Sequence, residues 1–267
     1  MKPVHARTAF HFNGEVTPTG PHCTRMSMRL PLDAKIYVAG HDCPLGQMLC
    51  RKLHTSGYQQ VITRTGQELN LRSQLDVNLF FEQELPDYVF VVTEETAEQV
   101  DQLTHPAEHL YSRLLGLSNV IHASYVYEVR KLLNIACFSG DQGADGAWNL
   151  TAESLSSGES LPAGALLQLV ALGLCDRYRQ QYSCDFISAQ FFLESGDVAV
   201  AREPAAPGIM IQSTDSSSGG GVYRAFAESG DQLYSLNPTD ACLFLMEHFS
   251  SAGAISIRSR ADEYASP

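Results

Sequence analysis

A chain of 267 residues with 44% hydrophobic content is long enough for one large domain with a substantial core. Its formal net charge of −12 argues against a nucleic-acid partner, because such binding rests on neutralising phosphates with Lys and Arg. No apolar run approaches the roughly 20 residues that span a bilayer, and the N-terminus lacks the apolar segment of a signal peptide, so the expectation is a soluble, cytoplasmic protein with no membrane insertion. The seven cysteines contain no CxxC pair, and Cys50, Cys175 and Cys242 sit singly in apolar settings. They read as reduced core thiols rather than disulfides or metal ligands, and no metal site is expected.

In chain order, residues 1–34 show no sustained period and read as an extension, flexible or loosely docked. A strand at Ile36–Ala39 runs into a turn with the spacing of a GxxGxxG motif, filled by Gly40, Cys43 and Gly46, and Pro44 suits the first turn of a helix that continues through Gln47–His54 to a cap at Gly57. In a dinucleotide site the middle glycine lets backbone amides approach a pyrophosphate, and Cys43 crowds that approach. The next strand, Gln60–Arg64, ends in an arginine rather than an acid, which favours a 2′-phosphate over a free ribose. These pieces form a first βαβ unit.

Further on, Leu75, Leu79 and Phe80 give helical spacing to Ser73–Glu84, and the wholly apolar Tyr88–Val92 is a buried parallel strand. Glu94, Glu95 and Glu98 read as acids opening a helix, at its favourable dipole end. A long helix spans Pro106–Val126, Lys131–Phe138 is a strand, and Gly140–Ser160 is a loop that holds Trp148, for which the sequence supplies no role. Leu161–Tyr182 is a helix with an unusually broad apolar face, and Asp185–Phe192 is another strand. After a Ser/Gly linker at Ser216–Gly221 come a helix at Asp240–His248 and a short strand at Ala254–Arg258. The predicted architecture is α/β: a Rossmann-type, doubly wound parallel sheet over residues 35–192 with helices on both faces, followed by a reduced C-terminal region, 193–267, that resembles a truncated substrate domain. His105 and His109 flank Glu108 with metal-ligand spacing, but no third ligand lies nearby in sequence and a solvated helix start is the simpler reading.

The phrases KIYVAGH at Lys35–His41, RTGQELNL at Arg64–Leu71, VIHASYVYEVRKLL at Val120–Leu133 and LCDRYRQQYSCDF at Leu174–Phe186 resemble, in order and spacing, those of the GDP-L-fucose synthases. That family comprises extended short-chain dehydrogenases that convert GDP-4-keto-6-deoxy-mannose to GDP-L-fucose with NADPH. The resemblance implies a homodimer paired through the helices at 106–126 and 161–182. It also implies a proton relay of Tyr, Lys and Ser, whose positions fall here on Gly164, Gln168 and Cys137. Neither Gly164 nor Gln168 can ionise. The family's adjacent Ser-Cys pair becomes Phe138 and Ser139, the arginine expected two residues after Gly40 is Asp42, and Arg64 is retained while its neighbouring arginine becomes Gly66.

These substitutions predict a catalytically inactive homologue that works as a binding or scaffold protein beside nucleotide-sugar or polysaccharide enzymes, with no cofactor held tightly and NADP at weakened affinity as the remaining option. The alternative is an active NADP(H)-dependent epimerase or reductase built on Tyr178 or Tyr182 with Cys137 as acid. A third reading makes Cys137 a nucleophile with a histidine base.

Overall fold

The computed structural model describes residues 29–95, 104–139, 163–193, 209–213, 222–224, 238–250 and 254–259. Eight strands form one sheet: β1 (Lys35–Ala39), β2 (Gln60–Ile62), β3 (Tyr88–Glu95), β4 (Lys131–Ser139), β5 (Asp185–Leu193), β6 (Ile209–Ser213), β7 (Val222–Arg224) and β8 (Ala254–Ser259). Their order is β2-β1-β3-β4-β5-β8-β6-β7. Strands β2 to β8 in that order are parallel, and β6 and β7 complete the edge in antiparallel register. Among the described residues, the C-terminal strands therefore extend the same sheet instead of forming a separate layer.

The two faces follow from the period-2 alternation of the strands. Ile36 and Val38 of β1, with Phe90 of β3 and Leu133 and Ile135 of β4, face helices α1 (Pro44–Thr55) and α5 (Pro238–His248). Tyr37 and Ala39, with Val89, Val91 and Leu132, face α2 (Gln74–Glu84), α3 (Pro106–Val126) and α4 (Ala163–Tyr182). This is the doubly wound arrangement. The winding changes face between β1 and β3, so the crevice for a ligand opens at their carboxyl ends.

Several local expectations are adjusted. β2 stops at Ile62, leaving Arg64 in the following loop. In α2, Ser73 is the N-cap and the inward residues are Val77, Phe80 and Phe81, while Leu75 and Leu79 face outward at 67% and 45% exposure. Tyr37 decides this: its ring packs on both Phe80 and Phe81, at 4.6 and 5.9 Å between centroids, and turns that pair to the sheet. Glu94 and Glu95 do not open a helix. They are the last residues of β3, paired with Cys137 and Phe138 of β4, because parallel pairing carries the strand past Val92. Leu30 and Ala34, inside the stretch assigned to the N-terminal extension, are buried beside α1. Cys175 and Cys242 are buried as expected of core thiols, Cys50 only half so. The 140–160 loop with Trp148, the Ser216–Gly221 linker and Glu98 lie outside the described residues.

Candidate functional site

The turn after β1 is fixed by two glycines. Gly40 adopts φ +84°, and a Cβ there would lie 2.2 Å from the carbonyl oxygen of Val92. At Gly46 a Cβ would lie 2.1 Å from the Gly40 carbonyl oxygen. Helix α1 thus packs directly on the turn, and the end of β1 packs on β3. Any side chain at either position would push these backbones apart.

Cys43 occupies the N-cap of α1 in extended backbone. Its Sγ accepts a hydrogen bond from the Gly46 amide at 3.3 Å and donates to the Gly40 carbonyl at 3.0 Å. The thiol lies back against the turn and takes a helix amide that would face a phosphate. Pro44 contributes no N–H, and Gln47 N is committed to Cys43 O at 2.9 Å. The side chains offered at the turn are His41 and Asp42, and a carboxylate opposes a phosphate.

Arg64 is held elsewhere. Its Nη2 pairs with Glu84 Oε1 of α2 at 2.5 Å, its Nη1 donates to Thr63 O, and its guanidinium lies 5.4 Å from the centre of the Phe80 ring. The charge at the end of β2 is therefore already partnered.

On α4, Gly164 lies in the first turn, and Gln168 one turn later is 2% exposed and directed at the sheet. Asn134 Nδ2 of β4 donates to Gln168 Oε1 at 3.0 Å and to Ser188 Oγ of β5 at 2.8 Å. Asn134 Oδ1 and Gln168 Nε2 have no protein partner. Cys137 lies three residues beyond Asn134 and so on the opposite face, 1% exposed in the cluster covered by α1 and α5. The structure does not bring Cys137 together with Gly164 and Gln168, and a thiol this buried on the far face is not placed to attack a substrate.

Tyr178 and Tyr182 do not reach Cys137 either. Helix α4 runs antiparallel to the strands, which carries its end to their amino edge, where Tyr178 packs on Phe186 and Tyr125 stacks on Tyr182. Phe186 pairs with Leu132, whereas Cys137 pairs with Phe191, so about 16 Å of strand separates the two levels. Tyr178 OH is hydrogen-bonded to His122 Nδ1 at 2.7 Å, and burial pushes its phenol upward from its ordinary value, opposite to what a proton relay needs.

At the carboxyl ends of β1 and β3 the structure opens a cavity of about 550 Å³. Ala39, Gly40 and Val91 form its floor, and Leu71 and Arg72 come from the loop after β2. Its far wall is formed by His105, which precedes α3, and by Glu108, His109, Ser112, Arg113, Gly116, Leu117 and Val120 of α3. The histidines read from sequence as a solvated helix start are thus part of a cavity wall. No group of three metal-ligating side chains assembles among the described residues. The available signal was that α3's core-facing stripe, apolar at Leu117 and Val120, turns polar toward the N-terminus.

Comparison with known proteins agrees with this geometry. A putative GDP-L-fucose synthase from Arabidopsis thaliana is 28% identical over 253 residues, covering 90% of this chain and 76% of that protein. A GDP-L-fucose synthase from Sinorhizobium fredii is 29% identical over 249 residues, covering 88% and 77%. Among solved structures, a GDP-L-fucose synthetase from Naegleria fowleri bound to NADP has the same fold, with a TM-score of 0.59 at 16% identity over 90% of this chain and 81% of that one. A GDP-D-glycero-L-gluco-heptose synthase from Campylobacter jejuni, solved in the presence of NADPH, gives a TM-score of 0.52 at 27% identity over 61% of this chain. The match spans about half of that enzyme's length, 48%. The NAD dependent epimerase/dehydratase profile matches residues 36–251, from the first strand to beyond the last helix, and this chain belongs to that family as an extended, GDP-L-fucose synthase-like member.

Proposed function

We propose that this protein is a member of its family that no longer transfers hydride and acts as a binding or scaffold protein in nucleotide-sugar or polysaccharide biosynthesis. The observation that carries this reading is the Asn134–Gln168 hydrogen bond. The position where the resemblance implies an ammonium holds a neutral amide, 2% exposed and spent on the sheet, and the position of the phenol one turn earlier is Gly164. A proton relay needs a group that changes ionisation near the reacting oxygen, and neither residue does.

NADP is the cofactor that the family implies, and the residues present fit it poorly. The glycines that permit close approach remain, but the Gly46 amide is taken by Cys43 Sγ, Asp42 adds a negative charge and Arg64 is paired with Glu84. Weak dinucleotide affinity follows. We also propose that two copies pair through α3 and α4, a reading supported by the exposed Tyr111 and Val126 on α3 and Val170 and Tyr182 on α4.

The test is NADPH consumption by purified protein supplied with GDP-4-keto-6-deoxy-mannose. The expected result is none above a no-enzyme control, and reproducible turnover above that control would overturn the reading.

A further inference from the structure

We infer that the buried polar cluster shared by β4, β5 and α4 is a binding site for one internal water molecule, held between the side-chain amides of Asn134 and Gln168. The site is set by the packing of α4 on the sheet. It goes beyond the non-catalytic reading and does not depend on it.

Three neutral polar side chains meet in the interior. Asn134, Gln168 and Ser188 are each 0–2% exposed. The register of the sheet sets Asn134 of β4 level with Ser188 of β5, and α4 lays Gln168 over Asn134.

Their bonds to one another leave a remainder. Asn134 Nδ2 has two hydrogens and spends both, one on Gln168 Oε1 at 3.0 Å and one on Ser188 Oγ at 2.8 Å. Ser188 is also hydrogen-bonded to the buried Cys175 thiol. Asn134 Oδ1 and Gln168 Nε2 remain, both shielded from solvent and neither with a partner in the protein. Turning the amides over does not change the count. With oxygen and nitrogen exchanged in both side chains, Gln168 Nε2 would donate to Asn134 Oδ1, and the Asn134 nitrogen and the Gln168 oxygen would be left instead. Either way one donor group and one acceptor group are buried without a protein partner, and each forfeits the hydrogen bond that it makes to water in the unfolded chain.

This pairing selects the ligand. A cation would be repelled by the Gln168 N–H dipole, an anion by the Asn134 oxygen, and an apolar molecule would satisfy neither. Water donates to one and accepts from the other, which is how buried waters are held in protein interiors. Room for it comes from short neighbours: Ala136, two residues beyond Asn134 on the same face of β4, and Ala171, one turn beyond Gln168 on α4, are both buried and carry a single methyl each. The water thereby adds a second bridge beside the direct Asn134–Gln168 bond, and α4 is tied to β4 at two points by neutral groups.

The experiment is NMR of the full chain, deuterated and ¹⁵N-labelled, reading the side-chain NH₂ groups. Through-bond assignment identifies the Gln168 pair, and Gln168→Met confirms it by deleting the signal. Laboratory-frame and rotating-frame Overhauser spectra separate a water held beside these protons, whose cross-peaks differ in sign between the two, from hydrogen exchange, whose cross-peaks do not. The expected result is a held-water contact at Gln168 Nε2, with hydrogen exchange at least about tenfold slower than at the exposed Gln180 and Gln181 of the same helix. Asn134→Leu is expected to weaken that contact severalfold, while Ser188→Ala retains it, because the Ser188 hydroxyl is bonded elsewhere. Circular dichroism establishes that each variant is folded, and the spectra of the unaltered chain test the inference even if Asn134→Leu does not fold. A Gln168 amide protected from exchange but without a water contact means a dry interior and would overturn the inference. So would exchange as fast as at Gln180, or a contact undiminished in folded Asn134→Leu, since water would then reach Gln168 without being held by Asn134.

Discussion

Asn134 on β4 donates its side-chain amide to Gln168 on α4 at 3.0 Å, in the interior where neither residue is more than 2% exposed. The bond fastens α4 to the centre of the sheet. It also leaves one acceptor, Asn134 Oδ1, and one donor, Gln168 Nε2, without protein partners. A polar pair half-satisfied in this way is an expensive element of a core.

The expected consequence is strong non-additivity. Gln168→Leu removes the partner of a buried amide and should cost about 1–3 kcal/mol, and Asn134→Leu a similar amount. The double variant replaces both with apolar atoms and should cost clearly less than the sum of the two. Urea denaturation of the four proteins measures the cycle, and additive costs would mean that the bond contributes nothing as a pair.

The glycine turn gives a sharper contrast. Gly40→Ala and Gly46→Ala each place a Cβ within 2.2 Å of a backbone oxygen, so both should fail to fold or lose more than about 3 kcal/mol. Gly66→Ala meets nothing within 4 Å and should be neutral or stabilising by up to about 1 kcal/mol. Thermal melts read the difference directly.

Cys43 can be relieved of its hold on the helix amide. Cys43→Gly frees Gly46 N and, combined with Asp42→Arg, reverses the charge beside it, so NADPH affinity should rise by about tenfold or more in calorimetry. An unchanged affinity would show that the thiol and Asp42 are not what weakens the dinucleotide site.

Lys131 provides the pH test. Its Nζ donates to the carbonyls of Leu245 and Phe249 at the end of α5 and lies 3.6 Å from Asp185. Burial pushes its ammonium below the ordinary lysine value, with Asp185 opposing. Between that lowered value and the ordinary 10.5, the unfolded chain holds more protons than the folded one, so this group's contribution to stability rises with pH across the window. Lys131→Met should cost about 1–3 kcal/mol at neutral pH from the lost carbonyl partners, and the cost should grow as pH approaches 10. A cost that shrinks with pH would reverse the assigned direction.

The chain of apolar periods was enough to specify the doubly wound sheet, because each strand and helix reports its own burial locally. Ile36–Ala39 and Lys131–Phe138 read as strands, Tyr88–Val92 as a buried parallel one, and Pro106–Val126 as a helix. The phrase-by-phrase resemblance was enough to identify the family, and that Gly164 and Gln168, the positions the resemblance implies for the relay, carry no ionisable group is legible as residue types alone. What the sequence could not supply is direction. Whether Leu75 or Phe81 faces the sheet was decided by the ring of Tyr37, 44 positions from Phe81 along the chain and in contact with it in space. That Gln168 is bonded to Asn134, that Cys137 points to the opposite face, and that Tyr178 stands at the wrong edge depend on the register of β4 with β5 and on the antiparallel run of α4. The cavity at Arg72 and Arg113 was hidden for the same reason. Its walls come from segments separated along the chain, and only their packing brings Arg72 and Arg113 to line one cavity.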